Sequence, residues 1–386
     1  MVWAAFLLTA CSTRATGAIT PSGSAASHSA SPMTSASPIA TPAPAAQLVV
    51  QTKVPTSDQP GSISLFSEDG KATEVLPLQP GSTVLAAAGA RIFVRGADGT
   101  LKAIRRDGNV ETLGSAGNAP RGIGGLVPSP DGRRWLWAAQ TADSTSQSVY
   151  LGGDGLATRT LATFPYPTVL EAYAWTPRGV FLDSLPMDYF GYRPFNTTFG
   201  AFGGVRRLDP NSGTIQAVVT PSQCIFSDEA ADGAIACFPT ATGYLVPTRH
   251  ALRIVAGSGH VNDLSLAVPR FNYVGDAYFA PDGSMLTVAG ATGVGDNSPQ
   301  SGNASPKPEQ YGTDIVQTAD GSISRFGPTG TRPAMGRQSW LPDGRLVLWR
   351  PDAVGGSPGL YVLDPHGTGQ GSEIEVIGTP VGYLTS

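Results

Sequence analysis

Three ionisable residues in this 386-residue chain share a spacing that chemistry can use. Asp276 and Arg337 each stand seven residues before the glycine of an Asp-Gly pair, Gly283 and Gly344. Glu171 stands eight before Gly179, one place out of register. Brought onto one surface, the three would bind a polar ligand or form an ordinary ion pair. Other chemical motifs fail on context. Gly355-Gly356-Ser357-Pro358-Gly359 matches G-x-S-x-G, but a nucleophile elbow needs a strand-to-helix turn and no helical pattern follows. The four histidines, His28, His250, His260 and His366, are too dispersed for a metal site or a His-based triad. Gly290 to Gly295, GATGVG, lacks the βαβ setting of a nucleotide loop. No catalytic residue, metal or cofactor is expected.

The cysteines divide one and two. Cys224 and Cys237 flank a hairpin pattern, QCIFSDEAADGAIACF, with its turn near Asp228 to Gly233. Counting inward pairs Phe226 with Ile235 and Cys224 with Cys237. An oxidising compartment makes that pair a disulfide; two free buried thiols are the other reading. Cys11 closes the apolar opening MVWAAFLLTAC. That run is too short to span a bilayer and suits a signal-peptide core.

The elements that must position these residues are short strands between marked turns. SWLPDGRLVLW (339–349) has near copies in SPDGRRWLW (129–137) and APDGSMLTV (280–288). Asp bonds its local backbone and Gly accepts positive φ, so each copy reads as a hairpin turn. Turns of this first kind recur at Ala88-Gly89-Ala90, Asp131-Gly132, Arg178-Gly179, Asp232-Gly233, Asp282-Gly283 and Asp343-Gly344. A second series runs through Asp69-Gly70, Asp107-Gly108, Asp154-Gly155, Asn211-Ser212-Gly213, Gly257-Ser258-Gly259, Asp320-Gly321 and Asp364 to Gly367. Each unit is therefore four strands, A to D, with tight A–B and C–D turns. A four-stranded unit of this length cannot cover both its faces alone, and radial stacking solves that as a β-propeller.

The two turn series differ by one, and the first unit, from Gln47, lacks an A strand. The closing run Val381 to Ser386 can supply it. The expected fold is all-β, a seven-bladed propeller of four-stranded antiparallel blades, its ring closed by both chain ends; six blades is the alternative. Trp135, Trp137, Trp175, Trp340 and Trp349 flank A–B turns and should pack between blades.

The Pro-Asp-Gly phrases over residues 47 to 386 resemble the WD-like repeats of TolB-type propellers, also seen beside prolyl oligopeptidase-like peptidases. The peptidase likeness stops at the propeller, since no hydrolase domain follows. Leu8-Thr9-Ala10-Cys11 resembles the lipobox of bacterial lipoproteins, which implies lipidation of Cys11. Residues 12 to 46 are almost wholly Ser, Ala, Thr, Pro and Gly and read as a disordered tether. The expected domains are thus a signal peptide (1–11), a tether (12–46) and a propeller (47–386).

Charged residues are 14 % of the chain, against roughly 25 % in an average soluble domain. With a net charge of -4 and no basic run longer than a pair, a nucleic-acid partner is not expected. Function is expected on the loop-rich face. The B–C insertion Ser184 to Phe202 carries Tyr189, Tyr192, Arg193 and Phe195, residue types that bind proteins or glycans. The same loop folded onto its own blade is the bland alternative. The second insertion, Ala291 to Gly312, lacks such aromatics apart from Tyr311 near its end. The chain is expected to be a monomeric, non-catalytic binding or scaffolding module, anchored through Cys11 on the outer side of a bacterial membrane. A propeller lyase, lactonase or glycan-active hydrolase with its site at the channel mouth is the rival.

Overall fold

Each Pro-Asp-Gly phrase closes on itself in the same way. In the first, the Gly132 amide donates to Ser129 O at 2.8 Å and the Ser129 amide to Arg134 O at 2.8 Å. The Arg133 amide donates to Asp131 Oδ1 at 3.0 Å, and Gly132 sits at φ 65°. Ala280 to Gly283 repeats both bonds; Leu341 to Gly344 keeps the Gly344 bond to Leu341 O at 3.0 Å, while its first amide donates to Arg345 O, one residue nearer. A turn of this shape can only join neighbouring antiparallel strands.

The computed structural model describes residues 46–115, 126–141, 143, 145–166, 168–186, 204–218, 224–239, 251–265, 273–292, 310–351, 358–367 and 371–385. The unit Ala43–Ser386 holds all of them. Blade one contains β1 (Gln47–Lys53), β2 (Gly61–Ser67) and β3 (Ala72–Leu78). Blade two is β4 (Thr83–Ala88), β5 (Arg91–Arg95), β6 (Thr100–Arg105) and β7 (Val110–Ser115). Blade three is β8 (Leu126–Pro128), β9 (Arg134–Gln140), β10 (Ser146–Gly153) and β11 (Leu156–Pro165). Blade four is β12 (Thr168–Thr176), β13 (Gly179–Pro186), β14 (Val205–Leu208) and β15 (Ile215–Ala217). Blade five is β16 (Cys224–Glu229), β17 (Ile235–Pro239), β18 (Ala251–Val255) and β19 (Val261–Ser265). Blade six is β20 (Tyr273–Phe279), β21 (Met285–Ala291), β22 (Tyr311–Gln317) and β23 (Ile323–Phe326). Blade seven is β24 (Arg332–Pro333), β25 (Leu346–Arg350), β26 (Gly359–Leu363) and β27 (Ser372–Glu375).

The last strand, β28 (Thr379–Leu384), pairs antiparallel with β1 and becomes the missing A strand of blade one. It also touches β4 through a single parallel bridge, Gly382 to Ala87. Seven blades therefore close into a ring, as the turn count predicts.

Successive residues of a strand face opposite neighbours, and the core follows that rule. Trp135 and Trp137 pack on Phe93 and Leu101 of blade two. Leu136 and Ala138, between them, pack on Leu170 and Val180 of blade four. The same division gives one buried apolar cluster at every blade interface round the ring. Trp340 is buried with Tyr278 between blades six and seven, while Trp175 and Trp349 are half-buried against their clusters.

Polar stitches repeat round the ring. The buried Arg91 guanidinium reaches Asp154 at 2.6 Å and Gly132 O at 3.0 Å. The Gln147 amide exchanges two bonds with the Leu170 backbone, 3.1 and 2.6 Å. Arg178 reaches Glu229 at 2.9 Å, and Arg345 of blade seven pairs with Glu68 of blade one.

Cys224 and Cys237 form a disulfide with a Cα separation of 5.6 Å. A link closing so short a loop contributes about 3 kcal/mol in the chain-entropy picture. The hairpin register differs from the inward count. Cys237 faces Phe226, Cys224 faces Pro239, and Ile235 faces Glu229. The cause is the turn, which closes between Ala230 and Ala234, later than the inward count assumes; a bulge at Ser227, whose hydroxyl bonds both the amide and the carbonyl of Ala277 in blade six, then moves Cys224 by one place. The cysteines are therefore diagonal partners. The turn spans Ala230 to Gly233, which leaves Asp228 in the strand.

Gly132 tests the turn packing between blades. A methyl there would lie 2.3 Å from Ala88 O and add left-handed strain. Gly132→Ala is expected to cost about 2 kcal/mol or more, read as a lower urea midpoint with the same slope.

Candidate functional site

The A strands surround the axis, and a cavity of about 1080 Å³ runs between them. Its walls are mainly apolar or aromatic, with Leu85, Leu126, Tyr173, Trp175, Tyr278 and Tyr383 among them. Of the described residues lining it, Asp228, Arg332 and Arg337 carry a formal charge.

Arg337 owes its place to a break in blade seven. There the A strand proper has two residues, Arg332–Pro333. Beyond it the Ala334 amide donates to Val347 O at 3.1 Å, and the Val347 amide donates to Ser339 O at 2.8 Å. One residue of β25 thus faces two of its partner, and residues 335 to 338 loop out towards the axis. The buried Ser339 hydroxyl pins the loop, accepting from the Met335 amide at 3.1 Å and donating to Gly336 O at 2.6 Å. Gly336 has φ 63°, and a Cβ there would stand 3.2 Å from the Tyr278 hydroxyl. Trp340 Nε1 donates to Tyr278 O at 3.0 Å, fixing the far end of the loop to blade six.

From this loop Arg337 passes blade six and ends on blade five. Its Nη1 donates to Asp228 Oδ1 and, at 2.9 Å, to Glu229 O. Asp228 Oδ2 accepts from the Phe279 amide of blade six at 2.9 Å. One carboxylate thus joins three blades. Burial raises the Asp228 pKa, and the Arg337 charge opposes that rise. The neighbouring Glu229 is held by Arg178 at 2.9 Å and Arg207 at 2.9 Å. Burial, then the Asp183 and Asp228 charges, lift the Tyr173 phenol well above its ordinary value. Arg332 stands over Tyr311 at 5.0 Å and Trp349 at 5.1 Å, a cation–π arrangement.

Of the residues the spacing singles out, Arg337 lines the cavity. Glu171 is half-buried in β12 opposite Asp183, and it is not among the lining residues. Asp276 lies in β20, and its side chain is outside the described residues. Tyr189, Tyr192, Arg193, Phe195 and Cys11 also lie outside them. Among the described residues no group of three His, Cys, Asp or Glu is placed to hold a metal ion. Asp228, Gln338 and Tyr383 are cavity residues that spacing alone misses.

No protein-family model and no curated protein matches this chain. Solved structures similar to it include an oligogalacturonate lyase in complex with manganese, with TM-score 0.51 and 12 % identity over 82 % of this chain and 89 % of that one. Two others are a putative 6-phosphogluconolactonase from Bacteroides fragilis (TM-score 0.46, 14 % identity, 90 % and 99 % covered) and TolB from Acinetobacter baumannii (0.42, 13 %, 88 % and 81 %). The first of these likenesses is one of fold alone. It agrees with the propeller drawn from the turns and carries no activity to this chain.

Loss of Arg337 would leave the Asp228 carboxylate buried without its cation. Arg337→Gln is expected to cost about 3 kcal/mol at neutral pH. Asp228 has a raised pKa in the fold, so its ionisation weakens the fold as pH rises, more so without Arg337. The gap between wild type and variant should therefore be full at pH 7 and shrink towards pH 4 as Asp228 takes up its proton. Turn aspartates act with the opposite sign but equally in both proteins. The Ser284 amide lowers Asp282 and the Ser322 amide lowers Asp320, so the stability they lend is lost as pH falls. Urea midpoints of both proteins at the two pH values check the difference.

Proposed function

We propose that this chain is a lipid-anchored, extracytoplasmic propeller that binds a ligand or partner at the bacterial envelope without transforming it. The observation that carries this is the state of Asp228. It is the only carboxylate among the described residues lining the cavity, and both its oxygens are engaged. A carboxylate tied down in this way lends shape and field to a pocket, not proton transfer. The aromatic walls suit recognition of an extended or ring-bearing ligand. The Cys224–Cys237 disulfide suits an oxidising compartment, and the lipobox-like Leu8 to Cys11 supplies an anchor.

In this reading the axial cavity and the residues Tyr189, Tyr192, Arg193 and Phe195 both serve recognition. The occupant is an envelope protein or glycan. A second reading, a lyase, lactonase or glycan-active hydrolase, draws on the Tyr173 phenol beside Asp183 and Asp228, a buried proton donor at the cavity wall.

Two measurements decide between these readings. Radiolabelled palmitate should enter wild type and be lost in Cys11→Ala; label that persists in the variant sinks the anchor. A pull-down from envelope extract should lose its partner in the Tyr192→Ala, Arg193→Ala double variant. Unchanged partners remove the loop, and a captured glycan that is cleaved during incubation favours the enzyme.

A further inference from the structure

We propose that the axial cavity takes a ligand with a carboxylate on an apolar ring, and that Arg337 receives the carboxylate. This rests on reading the cavity as the binding site.

The Arg337 guanidinium is half used. Nη1 makes both of its bonds, to Asp228 and to Glu229 O. Nε and Nη2 bond no described residue, and the side chain keeps 18 % of its surface exposed. The bonds at Nη1 fix the plane of the group, and Arg337 lines the cavity, so Nε and Nη2 are left for a ligand there. A planar fork held this way matches the two oxygens of a carboxylate.

Two further donors line the same cavity. The Gln338 amide follows Arg337 on the looped-out segment, and the Tyr383 hydroxyl comes from β28. Neither bonds another described residue. Burial raises the Tyr383 pKa, so the hydroxyl keeps its proton at neutral pH. Tyr383 also packs against the cluster that holds Ala334 and Met335, at the base of the loop.

The open edge of Arg337 selects the ligand. A single carboxylate matches the two donors Nε and Nη2, whereas a phosphate ester brings a third oxygen and a second charge that this edge does not meet. The remaining walls, Leu85, Leu126, Tyr173, Trp175 and Tyr278, offer apolar area for a ring.

The break in blade seven fits this role. A regular A strand would keep its ladder and leave position 337 at the wall. The chain instead gives up ladder bonds, places Gly336 at positive φ and delivers two consecutive polar side chains to the axis. Irregular strands of this kind re-aim a side chain and gather next to active sites.

Calorimetry with 2-naphthoate, its neutral isostere 2-naphthamide and 2-naphthyl phosphate tests the assignment on the whole folded chain. Wild type should bind naphthoate at least about tenfold more tightly than naphthamide, as a charged hydrogen-bonded pair implies, and more tightly than the phosphate. Arg337→Lys keeps a cation beside Asp228 but lacks the second edge, and it should lose that preference. Tyr383→Phe should weaken naphthoate several-fold and leave naphthamide unchanged, which keeps the test open should the lysine variant fold poorly. Equal binding of naphthoate and naphthamide removes the carboxylate site and leaves cavity binding in place. Binding of none of the three removes the cavity as a site as well. A folded Arg337→Lys or Tyr383→Phe that keeps the full preference overturns the assignment of donors.

Discussion

A four-stranded sheet with two apolar faces has no stable existence until both faces are covered. That constraint governs every other feature of this propeller. Each strand splits its side chains between two neighbours, as Trp135 and Trp137 on one side and Leu136 and Ala138 on the other show. No blade owns a core; the cores lie between blades. Closure is therefore a condition of stability for all of them, and β28 lying against β1 satisfies it. The polar stitches through Arg91, Gln147, Arg178 and Arg345 tie neighbouring blades to one another.

The axial cavity is a product of the same geometry. Seven A strands cannot converge to a point, and the space they leave must be hydrated, filled or bound. Here the chain spans part of it with an arginine from blade seven that ends on blade five. Asp228 accepts that arginine and the Phe279 amide together. The pair thus ties together blades that share no sheet, and it sets the polarity of the cavity wall.

What the sequence discloses follows from how local each cause is. Pro130-Asp131-Gly132 and its copies are legible because a side chain two residues away and a glycine at positive φ decide the turn. Closure by the last strand is legible because one unit lacks a turn. The hairpin register at Cys224 is not legible, since the turn closes later than the inward count places it and the bulge at Ser227, bonded to Ala277 fifty residues away in another blade, adds a further step. The same holds for Arg337. Its spacing marked it as an axial residue, but its partner depends on a loop shaped by Ser339, Tyr278 and Trp340. Long-range packing chose Asp228, and nothing near either residue announces the choice.

The strand that completes the first blade is made after every other strand of the ring. Until Thr379 to Leu384 emerges, β1 presents a bare edge and the wall of blade one facing the axis is missing. A nascent chain therefore travels as an open arc, with three-stranded blade one at one end and a complete but uncovered blade seven at the other. Any chaperone that escorts it would find its grip on those two bare faces and lose it at the moment they join.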